Sequence, residues 1–146
     1  MELSTFGAVL AFAIEQEERS ARFYQEAAER EDCEAARETF QELARQNTKR
    51  RDLLVRTRQE QVTEMVLEPI TGLRRADYEV QVSAASASGY AQVLSQAVEV
   101  EQVAQRFYSE VAEVGRYLLA GVARSFIRLA RENEARRLRL DGLPRP

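Results

Sequence analysis

Ala13-Ile-Glu-Gln-Glu-Glu-Arg-Ser-Ala-Arg-Phe-Tyr24 returns, at an offset of 84, as Ala97-Val-Glu-Val-Glu-Gln-Val-Ala-Gln-Arg-Phe-Tyr108. Glu15 matches Glu99, Glu17 matches Glu101, and Arg22-Phe23-Tyr24 matches Arg106-Phe107-Tyr108. A second pair of stretches follows at an offset of 86: Phe40-x-x-Leu43-Ala44-Arg45 matches Phe126-x-x-Leu129-Ala130-Arg131. In that register Asn47 meets Asn133, Arg50 meets Arg136 and Arg51 meets Arg137. The two-residue drift falls in the turns between the paired stretches. An internal repeat of this kind predicts two copies of one helical hairpin.

The rest of the chain fits that reading. It has 146 residues, 45% hydrophobic and 31% charged, with Gly at 6 and Pro at 3. This is the length and composition of a single helical domain spanning 1–146, with a core of its own. Four helical patterns are predicted: about Ser4 or Thr5 to Arg30, about Asp32 to Met65, Ser86 to Glu113, and Arg116 to Leu140. Thr5 and Asp32 are N-cap candidates, Gly115 separates the last two helices, and Gly142 is a C-terminal stop. Helices one and two, and helices three and four, are therefore antiparallel neighbours. Residues 67–85 differ, with Pro69, Gly72 and a Ser/Ala-rich run. A connection of about 20 residues fits a segment that crosses the molecule.

Composition excludes several chemistries. There is no histidine, so imidazole serves neither as base nor as ligand. Cys33 is the one cysteine, which rules out an intramolecular disulfide and a CxxC knuckle. With no Trp and a formal charge of -3, no general nucleic-acid surface is expected. The apolar run 6–14 follows Glu2, meets Glu15, Glu17 and Glu18, and is too short to span a bilayer. The expectation is a cytoplasmic protein away from membranes.

Helical phase places two carboxylates where they need partners. Phe6, Leu10, Ala13, Ile14, Ala21, Tyr24 and Ala28 form one apolar stripe, and Glu17 falls in its middle. Tyr90, Leu94, Ala97, Val98, Tyr108 and Ala112 form the equivalent stripe around Glu101. Glu15 and Glu18 lie to either side of the first. An unpaired buried carboxylate is costly, so Glu17 and Glu101 require a cation or strong donors. The alternative is that both glutamates sit hydrated at an end of the bundle.

At this point the sequence resembles the rubrerythrin-like branch of the ferritin-like di-iron superfamily, over essentially the whole chain. The carriers are Glu17–Tyr24 and Glu101–Tyr108, seven residues apart, with the Phe-x-x-Leu-Ala frames at Phe40 and Phe126. The resemblance implies an all-α, ferritin-like four-helix bundle of two hairpins joined by a long crossover. It also implies a site in which one Glu from each of two helices joins a Glu-x-x-His from each of the others. Here those Glu and His positions hold Asn47 and Arg50 in helix two, and Asn133 and Arg136 in helix four. No rubredoxin-like cysteine module lies within the 146 residues.

The replacements balance charge. Two carboxylates face two guanidinium groups, each a planar fork that matches a carboxylate, and the amides satisfy remaining lone pairs. The leading expectation is a non-catalytic bundle that has lost its di-iron site, with no cofactor and with a binding or structural role. Helical phase places Arg51 and Arg137 nearer the stripe centre than Arg50 and Arg136, so either arginine of each pair can be the inward one. All four can also extend to solvent along the flank. A second reading is an iron or manganese oxidoreductase, or an iron-handling protein, with a displaced site using Glu17, Glu101 and Glu18, Glu132 or Glu134. A third is a cavity that binds an apolar or anionic small molecule at the arginines.

Other features carry less. Tyr24 and Tyr108 read as core aromatics whose hydroxyls need partners. Cys33 lies near the start of helix two, where a helix N-terminus lowers a thiol pKa, and is otherwise read as inert. Lys49-Arg50-Arg51 with Arg45, Arg56 and Arg58 reads as a solvated, ion-paired face. Arg136, Arg137 and Arg139 suit the C-terminal end of a helix dipole. Leu67, Ile70, Leu73, Tyr78, Val80 and Val82 are expected to cap the bundle or pack on a second subunit. Homodimers are common in the family that the sequence resembles, so a homodimer is expected.

Overall fold

The computed structural model describes residues 2–60, 69–115 and 120–144, with the backbone alone at Ala120. The predicted end of helix two, the start of the crossover at 67–68 and the predicted start of helix four at Arg116 lie outside the described residues.

Helix α1 spans Phe6–Glu29. Thr5 caps it as expected, its hydroxyl accepting from the Ala8 N–H at 3.1 Å. Helix α2 spans Arg37–Glu60, so its start lies five residues beyond the predicted Asp32. Glu31–Ala36 instead forms a 3-10 turn, with Cys33 at φ -106° and ψ 18°. The reason is a competing partner. Both oxygens of Asp32 accept from Arg30, at 2.8 and 2.6 Å. The same guanidinium donates to the Ala84 and Ala87 carbonyls, at 2.7 and 2.9 Å. Asp32 is therefore taken up in anchoring the crossover rather than in capping a helix.

Helix α3 spans Tyr90–Gly115 and helix α4 spans Ala120–Asp141. Helix α3 starts four residues after the predicted Ser86, because Ser86 N–H is held by the Ser83 hydroxyl at 3.2 Å. The Gln92 side chain accepts from Ser88 N–H, and the first helical bond closes from Val93 N–H to Gly89 at 3.1 Å. Gly142 terminates α4 as predicted, its N–H reaching the Leu138 and Arg139 carbonyls at 3.1 and 3.2 Å.

The four helices pack as two hairpin pairs, α1 with α2 and α3 with α4, in the manner of a four-helix bundle. Within each hairpin the backbones run close together, whereas α1 and α3 approach each other at few points. Large side chains fill the space between the hairpins, in two separate apolar clusters. One gathers Phe6, Leu10, Phe12, Leu54, Phe107, Tyr108 and Phe126, and the other gathers Phe23, Tyr24, Phe40, Leu43, Val93, Leu94 and Leu140. Between them lies a polar layer built from Glu17, Asn47, Arg50, Glu101, Asn133 and Arg136, the buried polar and charged residues among those described.

The long connection folds onto the bundle. Ile70, Leu73 and Tyr78 join the first cluster, and Val82 packs against the second. A short extended segment at the N-terminus pins it, with Leu3 N–H to the Leu73 carbonyl at 3.1 Å and Ile70 N–H to the Ser4 carbonyl at 2.9 Å. Cys33 fits the inert reading rather than that of a thiol lowered by a helix N-terminus. It is buried, and burial pushes its thiol above the ordinary value, with the Asp32 charge adding to the effect. Among the described residues no helix is long and apolar enough to cross a membrane.

The aromatic frame repeats as the sequence does. Phe40 stacks near Tyr24 at 5.9 Å, and Phe126 stacks on Phe6 at 6.0 Å and lies 5.6 Å from Tyr108. Both phenylalanines are fully buried. Replacing either by alanine is predicted to lower the unfolding free energy in urea by about 3–5 kcal/mol. A loss at one site many-fold smaller than at the other would show that the two halves are not packed alike.

Candidate functional site

Glu17 and Glu101 sit mid-helix on α1 and α3, with only 3% and 1% of their surface exposed. Their solvation must come from neighbouring side chains, and each receives three donors. The first oxygen of Glu17 accepts from Asn47 Nδ2 at 2.7 Å. Its second accepts from Tyr108 at 2.7 Å and from Arg50 Nη2 at 3.2 Å. Glu101 repeats the arrangement: Asn133 Nδ2 at 2.7 Å on one oxygen, with Tyr24 at 2.5 Å and Arg136 Nη2 at 3.1 Å on the other.

The amides complete a ring. Asn133 Oδ1 accepts from Arg50 Nη2 at 2.7 Å, and Asn47 Oδ1 accepts from Arg136 Nη2 at 2.7 Å. Followed around, the contacts run Glu17, Asn47, Arg136, Glu101, Asn133, Arg50 and back to Glu17. Donation to a carboxylate and acceptance from a guanidinium fix the orientation of both amides. Two negative and two positive charges sum to zero. Four of these bonds cross from one hairpin to the other: Tyr24 to Glu101, Tyr108 to Glu17, Arg50 to Asn133 and Arg136 to Asn47. The ring is thus what joins the hairpins at mid-height, where the two apolar clusters leave off.

Aromatic rings enclose the charges. The Arg50 guanidinium lies 5.4 Å from the centre of the Tyr108 ring, and Arg136 lies 5.6 Å from that of Tyr24. Burial alone pulls the Arg50 guanidinium down, but Glu17, with Tyr108, Glu101 and Glu132 behind it, outweighs burial and holds Arg50 above its ordinary value. Burial lifts both phenols well above theirs, and the carboxylate that each one serves lifts them further.

Of the two arginines in each pair, the structure turns Arg50 and Arg136 inward. Arg51 lies at the flank, 2.8 Å from Asp52 and 3.6 Å from Glu18, and Arg137 pairs with Asp141 at 2.9 Å. The buried positions of α2 are Phe40, Leu43, Ala44, Asn47, Arg50 and Leu54, a stripe shifted toward the Leu43–Arg50 side. The basic run at 49–51 is accordingly only in part a solvated face. The carboxylates suggested for a displaced metal site do not converge. Glu18 faces Arg51, Glu132 lies 3.8 Å from Arg50 Nη1, and Glu134 is exposed. Among the described residues no group of three or more Cys, Asp or Glu is placed to hold a metal ion.

Three spaces adjoin the ring, one of them lined by Glu101 with Gln102, Gln105, Glu134 and Arg137. A void of about 40 Å³ lies between α1, α3 and the crossover, lined by Phe12, Phe23, Tyr78, Val100 and Phe107 with Gln16 and Glu17. The inward arginines do not line it. They line a larger cleft, about 490 Å³, between α2 and α4.

Sequence reading located Glu17, Glu101 and their amide and arginine partners. It missed that each tyrosine serves the carboxylate of the opposite hairpin. It also missed Arg75, which leaves the crossover to grip both oxygens of Glu15 at 2.7 Å.

The phenols give a pH test. In an unfolded chain they ionise near about pH 10. In the folded protein they stay protonated to higher pH, so the folded state holds more protons and stability falls as pH rises past that value. Tyr24 and Tyr108 are therefore predicted to ionise only as the protein unfolds, whereas Tyr78, pushed up by burial and the Glu110 hydrogen bond to about 12, titrates separately. Alkaline spectrophotometric titration of Tyr24→Phe and Tyr108→Phe checks this. Reversible ionisation of either phenol in the folded protein would contradict it.

Comparison with protein-family models, with curated proteins and with solved structures finds no match to this chain.

Proposed function

We propose that this chain is a non-catalytic, ferritin-like bundle of the rubrerythrin type, in which an ion-pair and amide ring stands where relatives hold two irons. Its role on this reading is to bind or to scaffold, not to oxidise. The observation that carries it is the closed ring. The positions that would supply two further carboxylates and two imidazoles supply Asn47, Asn133, Arg50 and Arg136, and both glutamates are already engaged by them.

The donor set does not fit a metal pair. Hard divalent cations need several anionic or neutral oxygen and nitrogen ligands. Two carboxylates remain, and each has a guanidinium cation hydrogen-bonded to it. A metal entering between them would have to break the contacts of both arginines with the carboxylates and meet their charge. The identical change in both halves supports a single charge-balanced solution reached twice, rather than decay of one ligand at a time.

The test is loading and restoration. The protein as purified, given ferrous iron without oxygen and then exposed to air, is predicted to develop no iron-dependent absorbance and to retain no stoichiometric iron or manganese after desalting. The variant Asn47→Glu, Arg50→His, Asn133→Glu, Arg136→His rebuilds the ligand scheme of di-iron bundles, and is predicted to bind divalent metal and to gain thermal stability from it. Stoichiometric metal in the unaltered protein overturns the proposal. A folded restored variant that binds none overturns the placement of these residues at di-iron positions.

A further inference from the structure

The ring uses one nitrogen of each arginine. Arg50 and Arg136 make their hydrogen bonds through Nη2, while Nε and Nη1 of both are buried and meet no acceptor among the described residues. The side chains themselves are 7% and 6% exposed. Glu132 comes within 3.8 Å of Arg50 Nη1, beyond hydrogen-bond range. Charged donors held in a wall without acceptors are costly to leave unmade, and a matching anion relieves that cost.

Both arginine side chains border one cleft. Arg50 and Arg136 line it together with Gln46 and Ala135, and Lys49, Arg139 and Glu132 also border it. Arg139 is tied to Glu42 at 2.6 Å. The cleft, at about 490 Å³, is large enough for a phosphate bearing an organic group. The void beside Glu17, at about 40 Å³, is not.

We propose that the cleft between α2 and α4 binds a small tetrahedral oxyanion, a free phosphate or the phosphate of a monoester, through the Nε and Nη1 groups of Arg50 and Arg136 with Lys49 at the mouth. The cations lining the cleft are Lys49, Arg50, Arg136 and Arg139, and Glu132 lines it with them; Glu42, Glu17 and Glu101 stand behind as the partners of Arg139, Arg50 and Arg136, so the charges balance. Recognition rests on oriented donors in a partly dehydrated wall, not on a strong net field. Affinity is accordingly modest and falls with added salt. Arginine suits this task, because a guanidinium can serve a carboxylate on one edge and an oxyanion on another.

The inference rests on the metal-free ring, since only there do Arg50 and Arg136 hold these donors beside the cleft with no acceptor. Its test leaves the ring intact. Isothermal titration calorimetry with inorganic phosphate and with glucose 6-phosphate, against chloride at matched ionic strength, is predicted to show saturable binding at one site per chain. Ala135→Glu puts a carboxylate into the cleft and is predicted to weaken binding about tenfold or more. Glu132→Gln removes the competing carboxylate and is predicted to tighten it. Binding of the ester alone identifies the monoester as the ligand, and binding of both identifies the phosphate group. Heats no different from chloride, or binding unchanged in Ala135→Glu, overturn the inference. Metal content measured on the same samples separates that failure from failure of the metal-free reading.

Discussion

Two carboxylates lie at the centre of this bundle, and everything around them follows from the need to neutralise them there. Glu17 and Glu101 are shut away from water at mid-helix, flanked above and below by aromatic and aliphatic side chains. A carboxylate so placed is tolerable only with a counter-charge and with its lone pairs met. Each has one guanidinium, one amide and one phenol, which together meet its charge and its lone pairs. The same contacts that neutralise the glutamates also hold hairpin to hairpin. An apolar layer at this height would allow one hairpin to slide or rotate on the other. The ring admits one register, in which each tyrosine finds the opposite glutamate and each arginine the opposite asparagine. A polar network that fixes register is the best-attested use of buried charge in helical assemblies.

The repeat explains how so many buried polar groups come to be satisfied at once. A single hairpin offers one carboxylate, one amide, one guanidinium and one phenol, and cannot close the circuit. Its Asn47 carbonyl and its Tyr24 hydroxyl point to partners that only a second hairpin provides. Duplication supplies them in matching positions, so every bond in one half has a counterpart in the other within about 0.2 Å. Substitution of one residue in such a ring disturbs several partners, and the concerted identity of Asn47 with Asn133 and of Arg50 with Arg136 is what such coupling produces.

The four helices and the central glutamates were legible in the sequence, because helical phase and an internal repeat are long-range signals that no single residue can spoil. The choice between Arg50 and Arg51 was not. Phase alone favours Arg51, whereas in the bundle the buried stripe of α2 runs through Leu43, Asn47, Arg50 and Leu54, and which side of a helix its neighbours cover is a property of the assembled bundle. Asp32 shows the same limit in a helix cap. It is a good cap residue by type, but Arg30, held by the crossover carbonyls of Ala84 and Ala87, claims both its oxygens. The cross-hairpin reach of Tyr24 and Tyr108 was hidden for a related reason: spacing along a helix says which face a side chain lies on, not which neighbour stands opposite.

The most direct measurement of the central claim is a double-mutant cycle on the ring, read by urea unfolding of Glu17→Gln, Arg50→Met and the two combined. If the buried charges neutralise each other, each single change orphans one of them and costs about 3–5 kcal/mol, while the pair together costs no more than either alone. Additive losses would mean that the guanidinium and the carboxylate do not depend on one another, and the account of a self-neutralised centre would be wrong.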